Sequence, residues 1–273
     1  MQFLNCELVR RFEAAEAIPQ VHFAKHLERV KPDLKVAYEV IGGAHTVFIH
    51  PGCVVGRCVG LGLNGTVSAA DLDRVEQFYI SRGESPQVDV VPVADQSLFE
   101  LMKQRPYRFE ELNNVLVRPL SKLETLASRD VNAEIRRSSP EECEALCEVV
   151  ARAFLEGKDP DPQFVDVFRP LYGMEGAFSF AAYVDGKMVG GASGMLIPEA
   201  GIAAFFGSST LPEYRGSGIQ GAFLRERLKL AAEAGCEYAV IVTRGGSTSQ
   251  RNCERAGFRV AYSKPVMKMH LSV

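Results

Sequence analysis

From residue 143 onward, apolar positions recur at helical spacing. Cys143, Leu146, Cys147, Val150, Ala151 and Phe154 fall on one stripe, which predicts an amphipathic helix with a single buried face. Ser139-Pro140-Glu141-Glu142 precedes the stripe. Ser139 can cap the helix, Pro140 suits its first position, and Glu142 completes a capping box. A short strand is expected over 133–136 before this helix. Asp159-Pro160-Asp161-Pro162 ends it, and a second, shorter helix follows over about 163–171. The pattern then turns strand-like. Strands over 178–184 and 188–196 meet at Asp185-Gly186, a hairpin signal, and a third covers 202–209. A glycine-rich segment leads into a helix reaching about Ala234, which buries Ile219, Phe223, Leu224, Leu228 and Ala231 and presents Glu226, Lys229 and Glu233 to solvent. Gly235 ends it. A buried strand over 238–242, a short helix over 249–256 stopped by Gly257, and a last strand from Phe258 complete the order β-α-α-β-β-β-α-β-α-β. The class is α/β with a mixed sheet.

The first half repeats part of this order faintly. A strand over 58–63 meets Gly65, a helix spans about 68–82, a strand runs over 88–93, a short helix covers 96–104, and a strand begins near Tyr107. One offset of 151 pairs Gly65 with Gly216, Val88 with Ala239 and Tyr107 with Phe258. Identity under that offset is low, so an internal duplication rests on element order. The polar stretch ending at Asp130 separates the two parts, giving expected domains 1–130 and 131–273.

Composition narrows the function. With 273 residues, 47% hydrophobic and 24% charged, the chain can build a packed core. A net charge of −3 leaves no basic excess for nucleic-acid binding. No run of about 18 apolar residues exists to span a membrane, and Met1-Gln2-Phe3-Leu4-Asn5-Cys6-Glu7 lacks a basic region leading into an apolar one. Seven cysteines, an odd number in a chain too large to need staples, suit reduced thiols. The expectation is a cytoplasmic protein, compatible with a homodimer, with no nucleic-acid or membrane partner.

Gly216-Ser217-Gly218-Ile219-Gln220-Gly221 and Gly60-Leu61-Gly62-Leu63-Asn64-Gly65 both satisfy G-x-G-x-x-G. Glycines let backbone approach a phosphate, and free N–H groups at a helix start hold its charge. The dinucleotide version needs a strand running directly into the first glycine and an acid about 20 residues on. Here Leu211-Pro212-Glu213-Tyr214-Arg215 intervenes, and the next strand ends in Thr243-Arg244. The segment from Leu211 to Gln220 instead resembles the acyl-CoA loop of the GNAT superfamily of N-acyltransferases, R/Q-x-x-G-x-G/A, and Ser249 to Phe258 is similar to that family's late helix ending in a G-F pair. The resemblance implies a tandem GNAT-like fold with a degenerate first domain. It also implies an acetyl-CoA-dependent N-acetyltransferase acting on a small-molecule or peptide amine, with no metal. In that reading Leu211, Arg215, Gly216, Ser217, Gly218, Ile219, Gln220 and Gly221 surround the pyrophosphate, and Asn252 orders the pantetheine arm.

This sequence departs from the family at three positions. Gln220 stands where the loop pattern has Gly or Ala, although Gly221 follows. Cys253 occupies the position of the family's tyrosine acid, and the fourth strand of this half, 202–210, carries no ionisable residue where a glutamate base is usual. Cys253 is therefore the candidate acid, set against a buried core thiol or an oxidisable one. A direct transfer otherwise needs proximity, carbonyl polarisation by backbone N–H groups, and a proton path through water. A non-catalytic acyl-CoA sensor or scaffold is the competing reading. In the first half Val67 stands for Gly218, and its Cβ would crowd a phosphate, so no CoA is expected there.

Other constellations have plainer readings. Cys143 and Cys147 lie on an apolar stripe and read as core. His45, His50, Cys53 and Cys58 are zinc-compatible types without a knuckle spacing. Asp159 and Asp161 suit a solvated turn, Glu213 a structural hydrogen bond, and Tyr172 and Tyr183 half-buried packing. Arg251 suits a helix surface as well as it suits the cofactor.

Overall fold

The protein is described by a computed structural model over residues 4–53, 55–121 and 131–271. The expected polar divider, 122–130, lies outside the described residues, as do Met1, Gln2 and Phe3 at the start.

The first half runs α1 (Cys6–Val30), β1 (Ala37–Ile41), β2 (Ala44–Phe48), β3 (Cys58–Val59), α2 (Ala69–Ile80), β4 (Gln87–Asp89), α3 (Gln96–Lys103) and β5 (Tyr107–Pro119). The second runs β6 (Glu134–Arg137), α4 (Cys143–Phe154), α5 (Pro162–Asp166), α6 (Arg169–Gly173), β7 (Ala177–Val184), β8 (Lys187–Ile197), β9 (Ile202–Thr210), α7 (Ile219–Glu233), β10 (Tyr238–Arg244), α8 (Thr248–Arg255) and β11 (Arg259–Met269). The hairpin β7–β8 turns at Asp185-Gly186 as expected, with both residues at positive φ. The helix expected over 163–171 is two helices, because Pro170 has no N–H to continue a ladder through its position. The strand expected over 58–63 stops at Val59, where Gly60 turns the chain at φ +92.

The 25-residue α1 is an element that the sequence pattern did not bring out. Asn5 caps it, its Oδ1 accepting the Leu8 N–H at 2.9 Å, and it buries Leu8, Val9, Phe12, Phe23 and Leu27. The hairpin β1–β2 turns on Gly42 and Gly43, at φ +55 and +78, the pair of left-handed positions that a tight hairpin turn requires.

The chain forms two compact units. The first comprises residues to Val115, Val242–Ser247 and those from Val260 on; its strands lie in the order β1-β2-β3-β4-β11-β5. The second comprises Leu116–Ile241 and Thr248–Arg259, with strands in the order β5-β10-β9-β8-β7-β6. In each half a strand–helix–strand segment is parallel: Cys58 pairs with Val88 across β3 and β4, and Ile202 with Tyr238 across β9 and β10. The final strands, however, are exchanged. β11 closes the chain's second half yet pairs antiparallel with β4, Val266 opposite Asp89. The end of β5, from the first half, lies beside β10, where the Leu120 N–H continues to the Glu237 carbonyl at 2.8 Å. The units therefore do not follow a single division at 130/131, because that cut removes from each unit a strand supplied by the other half.

The core of the second unit has two layers. Leu116, Phe178, Phe205, Phe223, Phe258 and Cys253 pack beneath α7 and α8. Leu146, Cys147, Val150, Phe168 and Tyr172 pack with Ala181 on the other layer. The layer holding α4 is tight: a Cβ on Gly191 of β8 would come within 2.6 Å of Leu146 and 2.8 Å of Val150.

Candidate active site

β9 and β10 pair only as far as Phe205 opposite Ile241, although β9 runs on to Thr210. Over that extension β9 remains paired with β8, through an irregularity between Gly191 and Ser193. Gly207 adopts φ +56 there, and its carbonyl accepts the Tyr172 hydroxyl. The parallel ladder therefore opens along one edge of β9, and the segment that follows β9 turns at this opening.

That segment is the predicted loop. Leu211 is buried and donates its N–H to the Val189 carbonyl at 2.9 Å. Pro212–Tyr214 makes one tight turn, and the Ser217 hydroxyl closes the next bend on the Tyr214 carbonyl at 2.6 Å. Gly216 and Gly218 stand at φ +79 and +89, conformations that a side chain disfavours. Gly218 is the cap residue of α7, which carries no side-chain cap. The first bond of that helix runs from the Ala222 N–H to the Gly218 carbonyl. Among the described residues, the N–H groups from Gly216 through Gly221 find no acceptor within the protein. Six successive donors at the positive end of a 15-residue helix form an anion cradle. A Cβ added at Gly216 would meet nothing within 4 Å, whereas one at Gly218 would come within 3.3 Å of Val131 Cγ2, so the cradle is open on the Gly216 side.

The side chains around it are mostly braces. Arg215 donates from Nε to the Thr210 carbonyl at 3.1 Å and from Nη2 to the Ala153 carbonyl at 2.8 Å, and pairs through Nη1 with Glu156 at 2.6 Å. It fastens the loop to the end of α4. Gln220 donates to Thr210 Oγ1 at 2.9 Å and accepts the Ser208 hydroxyl at 2.7 Å. Its departure from Gly or Ala thus puts a clamp on the end of β9. Ile219 is core. Glu213 is exposed and makes no hydrogen bond among the described residues, so the structural bond expected of it is absent there.

In α8, Asn252 is half-buried and Arg251 exposed. Cys253 is 2% exposed, and burial pushes its thiol up to about 11, with Arg227 and a hydrogen bond from Ser249 acting the other way. Sequence reasoning missed Arg227. It is 1% exposed, donates to the Phe223 carbonyl at 3.2 Å and the Ser193 carbonyl at 3.0 Å, and lies 4.8 Å over the Phe205 ring. Burial pulls its pKa down to about 10. Its signal was positional: residue 227 falls inside the apolar stripe Phe223, Leu224, Leu228.

The first-half counterpart is built differently. Ser68 and Asp71 cap α2 reciprocally, Asp71 N–H to Ser68 Oγ and Ser68 N–H to Asp71 Oδ2, both at 3.1 Å. The Val67 N–H is taken by Ser97 Oγ at 2.8 Å. This helix start is filled by its own side chains and carries an acid where α7 carries none. His45, His50, Cys53 and Cys58 do not converge; the one cluster of potential ligands among the described residues is Glu13, Glu16 and Asp89. The Lys264 ammonium already sits in it, 2.8 Å from Glu13 and 2.9 Å from Asp89.

Comparison with known proteins bears on the family of this region and on the fold of the chain. The family model described as "Acetyltransferase (GNAT) family" matches residues 143–258. A GCN5-related N-acetyltransferase from Kribbella flavida superposes with a TM-score of 0.64 at 14% identity, covering 93% of this chain and 96% of its own. Another from Sphaerobacter thermophilus gives 0.58 at 16% identity, over 95% and 94%. A tandem GNAT protein from the clavulanic acid biosynthesis pathway gives 0.58 at 12% identity, over 84% and 79%. No curated protein matches by sequence. No helix among the described residues is long and apolar enough to cross a membrane. Residues 143–258, with the uncapped loop and the opened β9 edge at their centre, match the GNAT acetyltransferase family, in a chain whose fold is similar to that of tandem GNAT proteins.

Proposed function

We propose that the protein is an acetyl-CoA-dependent N-acetyltransferase that transfers its acyl group directly to a primary amine of a small molecule or peptide. One observation carries the reading: α7 begins without a side-chain cap, with the N–H groups from Gly216 to Gly221 unspent. An anionic pyrophosphate satisfies those donors and complements the helix dipole. Bound there, acetyl-CoA supplies a thioester carbonyl as electrophile. The loop fixes the phosphates, and the unpaired edge of β9 beyond Phe205 offers backbone N–H groups to polarise that carbonyl. Holding the amine beside it supplies proximity worth several kcal/mol.

Proton transfer falls to water. β9 carries no ionisable side chain. A Cys253 thiol at about 11 is a weaker acid than a CoA thiol near the reference value of ~8.5, so donation from it runs uphill.

A sensor or scaffold that binds acyl-CoA without turnover is the second reading, favoured by the same lack of an acid and a base. The test incubates the full chain with acetyl-CoA and a panel of primary amines and follows free thiol release. Acceptor-dependent release supports the enzyme. Tight binding with no release above the amine-free control supports the sensor instead.

A further inference from the structure

Over the opening, β9 carries one residue more than the strand beside it. Gly191 of β8 lies opposite Ser209 and Ser193 opposite Phe206, so Ala192 alone faces two residues, Gly207 and Ser208. An extra residue headed by a left-handed glycine is a β-bulge, which bends a strand and re-aims its groups. Gly207 has no opposite residue on β8, and the pairing with β10 has already ended at Phe205. Its carbonyl is left without a ladder partner, and the Tyr172 hydroxyl of α6 takes that place.

The bulge is gripped from both layers of the unit. On one side Tyr172 is buried with Leu146, Cys147, Val150 and Phe168. A Cβ added on Gly207 would lie 3.5 Å from Leu171 Cδ1 and 3.6 Å from the Tyr172 hydroxyl oxygen, so α6 lies directly against the bulge. Ser193 of β8 fixes α6 in turn, its hydroxyl donating to the Leu171 carbonyl and, at 3.1 Å, to the Phe178 carbonyl. On the other side Gln220 of α7 accepts the Ser208 hydroxyl. Glycine adopts either sign of φ, so Gly207 does not by itself fix the peptide that follows it. That peptide is planar and trans; with its carbonyl drawn to Tyr172, the Ser208 N–H is turned away from α6.

We propose, on the acetyl-CoA function stated above, that Tyr172 is a positioning residue for the acyl carbonyl. Its hydroxyl locks the 207–208 peptide and so holds the backbone N–H groups at the β9 opening where they polarise the thioester. Such donors act because they do not reorganise during the reaction. Without the hydroxyl the peptide turns toward another donor, and a misplacement of about 1 Å costs on the order of 10²-fold in rate. Binding is expected to survive, because the phosphates are held by the loop from Gly216 to Gly221.

The experiment uses the full chain and acetyl-CoA carrying carbon-13 at the thioester carbonyl, whose infrared stretch falls as the carbonyl is polarised. Tyr172→Phe keeps the ring in its layer and deletes the hydroxyl. Val165→Ala, a truncation in the same layer, supplies a control destabilised by packing alone. Wild type and Val165→Ala are expected to lower the stretch of bound acetyl-CoA alike. In Tyr172→Phe the stretch is expected to return most of the way to the free value, with affinity within about twofold. With an amine that the wild type acetylates, Tyr172→Phe is expected to lose kcat at least about tenfold with little change in KM for acetyl-CoA. Equal stretches in Tyr172→Phe and wild type would overturn the proposal. So would an equal return in Val165→Ala, which would make Tyr172 a packing residue. A wild type that binds no acetyl-CoA would overturn the proposed function and this role with it. A wild type that binds and shows the Tyr172-dependent stretch, yet acetylates no amine, would support this role and overturn the transferase alone.

Discussion

Arg227 carries a charge in the core of the second unit with no carboxylate beside it among the described residues; two carbonyls and the Phe205 ring are its compensation. Because one of those carbonyls belongs to Ser193, at the β8 irregularity, Arg227 holds the strand against which the end of β9 is shaped. Arg227→Ala is expected to cost about 3 kcal/mol in urea unfolding, from lost packing and an orphaned carbonyl. Arg227→Met, which keeps the stem, is expected to cost less. Lys264 in the first unit has the reverse situation, an ammonium serving Glu13, Glu16 and Asp89. Burial already raises Glu16. Lys264→Met is expected to cost about 3–5 kcal/mol at neutral pH, because it strands buried carboxylates. In that variant the folded-state pKa values lie above the unfolded ones. The folded form then binds more protons, and stability recovers as pH falls through them. Melts from pH 7 to pH 5 check this; a cost that does not shrink on acidification would refute it. Cys253→Ala is expected to leave the transfer rate near wild type and cost about 1 kcal/mol; a rate loss beyond tenfold with a normal melt would make it the acid. Buried charges such as these are hard to read from sequence, because a lysine or arginine in a stripe resembles a solvated one until its partners, distant in the chain, are known.

Among elements, α2 and α7 have the same place in their halves and opposite chemistry at their starts. Ser68 and Asp71 satisfy one; six unspent N–H groups leave the other for an anion. This contrast was legible in residue identity, Val67 against Gly218 and Asp71 against Ala222, because capping is a local property. The start of α4 at Ser139-Pro140 was legible for the same reason, and the break at Pro170 could have been. Arg215 works at this scale as well, since it joins the loop to α4. Arg215→Ala is expected to raise KM for acetyl-CoA several-fold with kcat little changed, and Glu156→Gln to do less, because that ion pair is exposed and worth at most about 1 kcal/mol. Steady-state kinetics with varied acetyl-CoA check this; a kcat collapse without a KM change would place Arg215 in the chemistry instead.

For the whole chain, the exchange of final strands decides what can fold alone. β11 needs β4, and β10 has the end of β5 beside it. A fragment of residues 131–273 is therefore expected to lack a cooperative thermal transition, and a sharp melt from it would show the exchange to be dispensable. Sequence pattern found the duplicated order but not the exchange, since periodicity specifies a strand and says nothing of its neighbour. The central claim is that this two-unit chain has one CoA site, at the start of α7. Gly221 lies in the first turn of α7, outside the left-handed region, with only the Arg225 guanidinium within 4 Å of an added Cβ. An aspartate there suits the helix start, by about 0.5–1 kcal/mol, while opposing a bound pyrophosphate. Calorimetry of acetyl-CoA on the full chain, with a melt of each protein, is the most direct measurement. The prediction is one site per chain in the wild type, and affinity at least about tenfold weaker in Gly221→Asp with an equal or higher melting temperature. Two sites per chain, or unchanged affinity in a Gly221→Asp protein that melts normally, would contradict it.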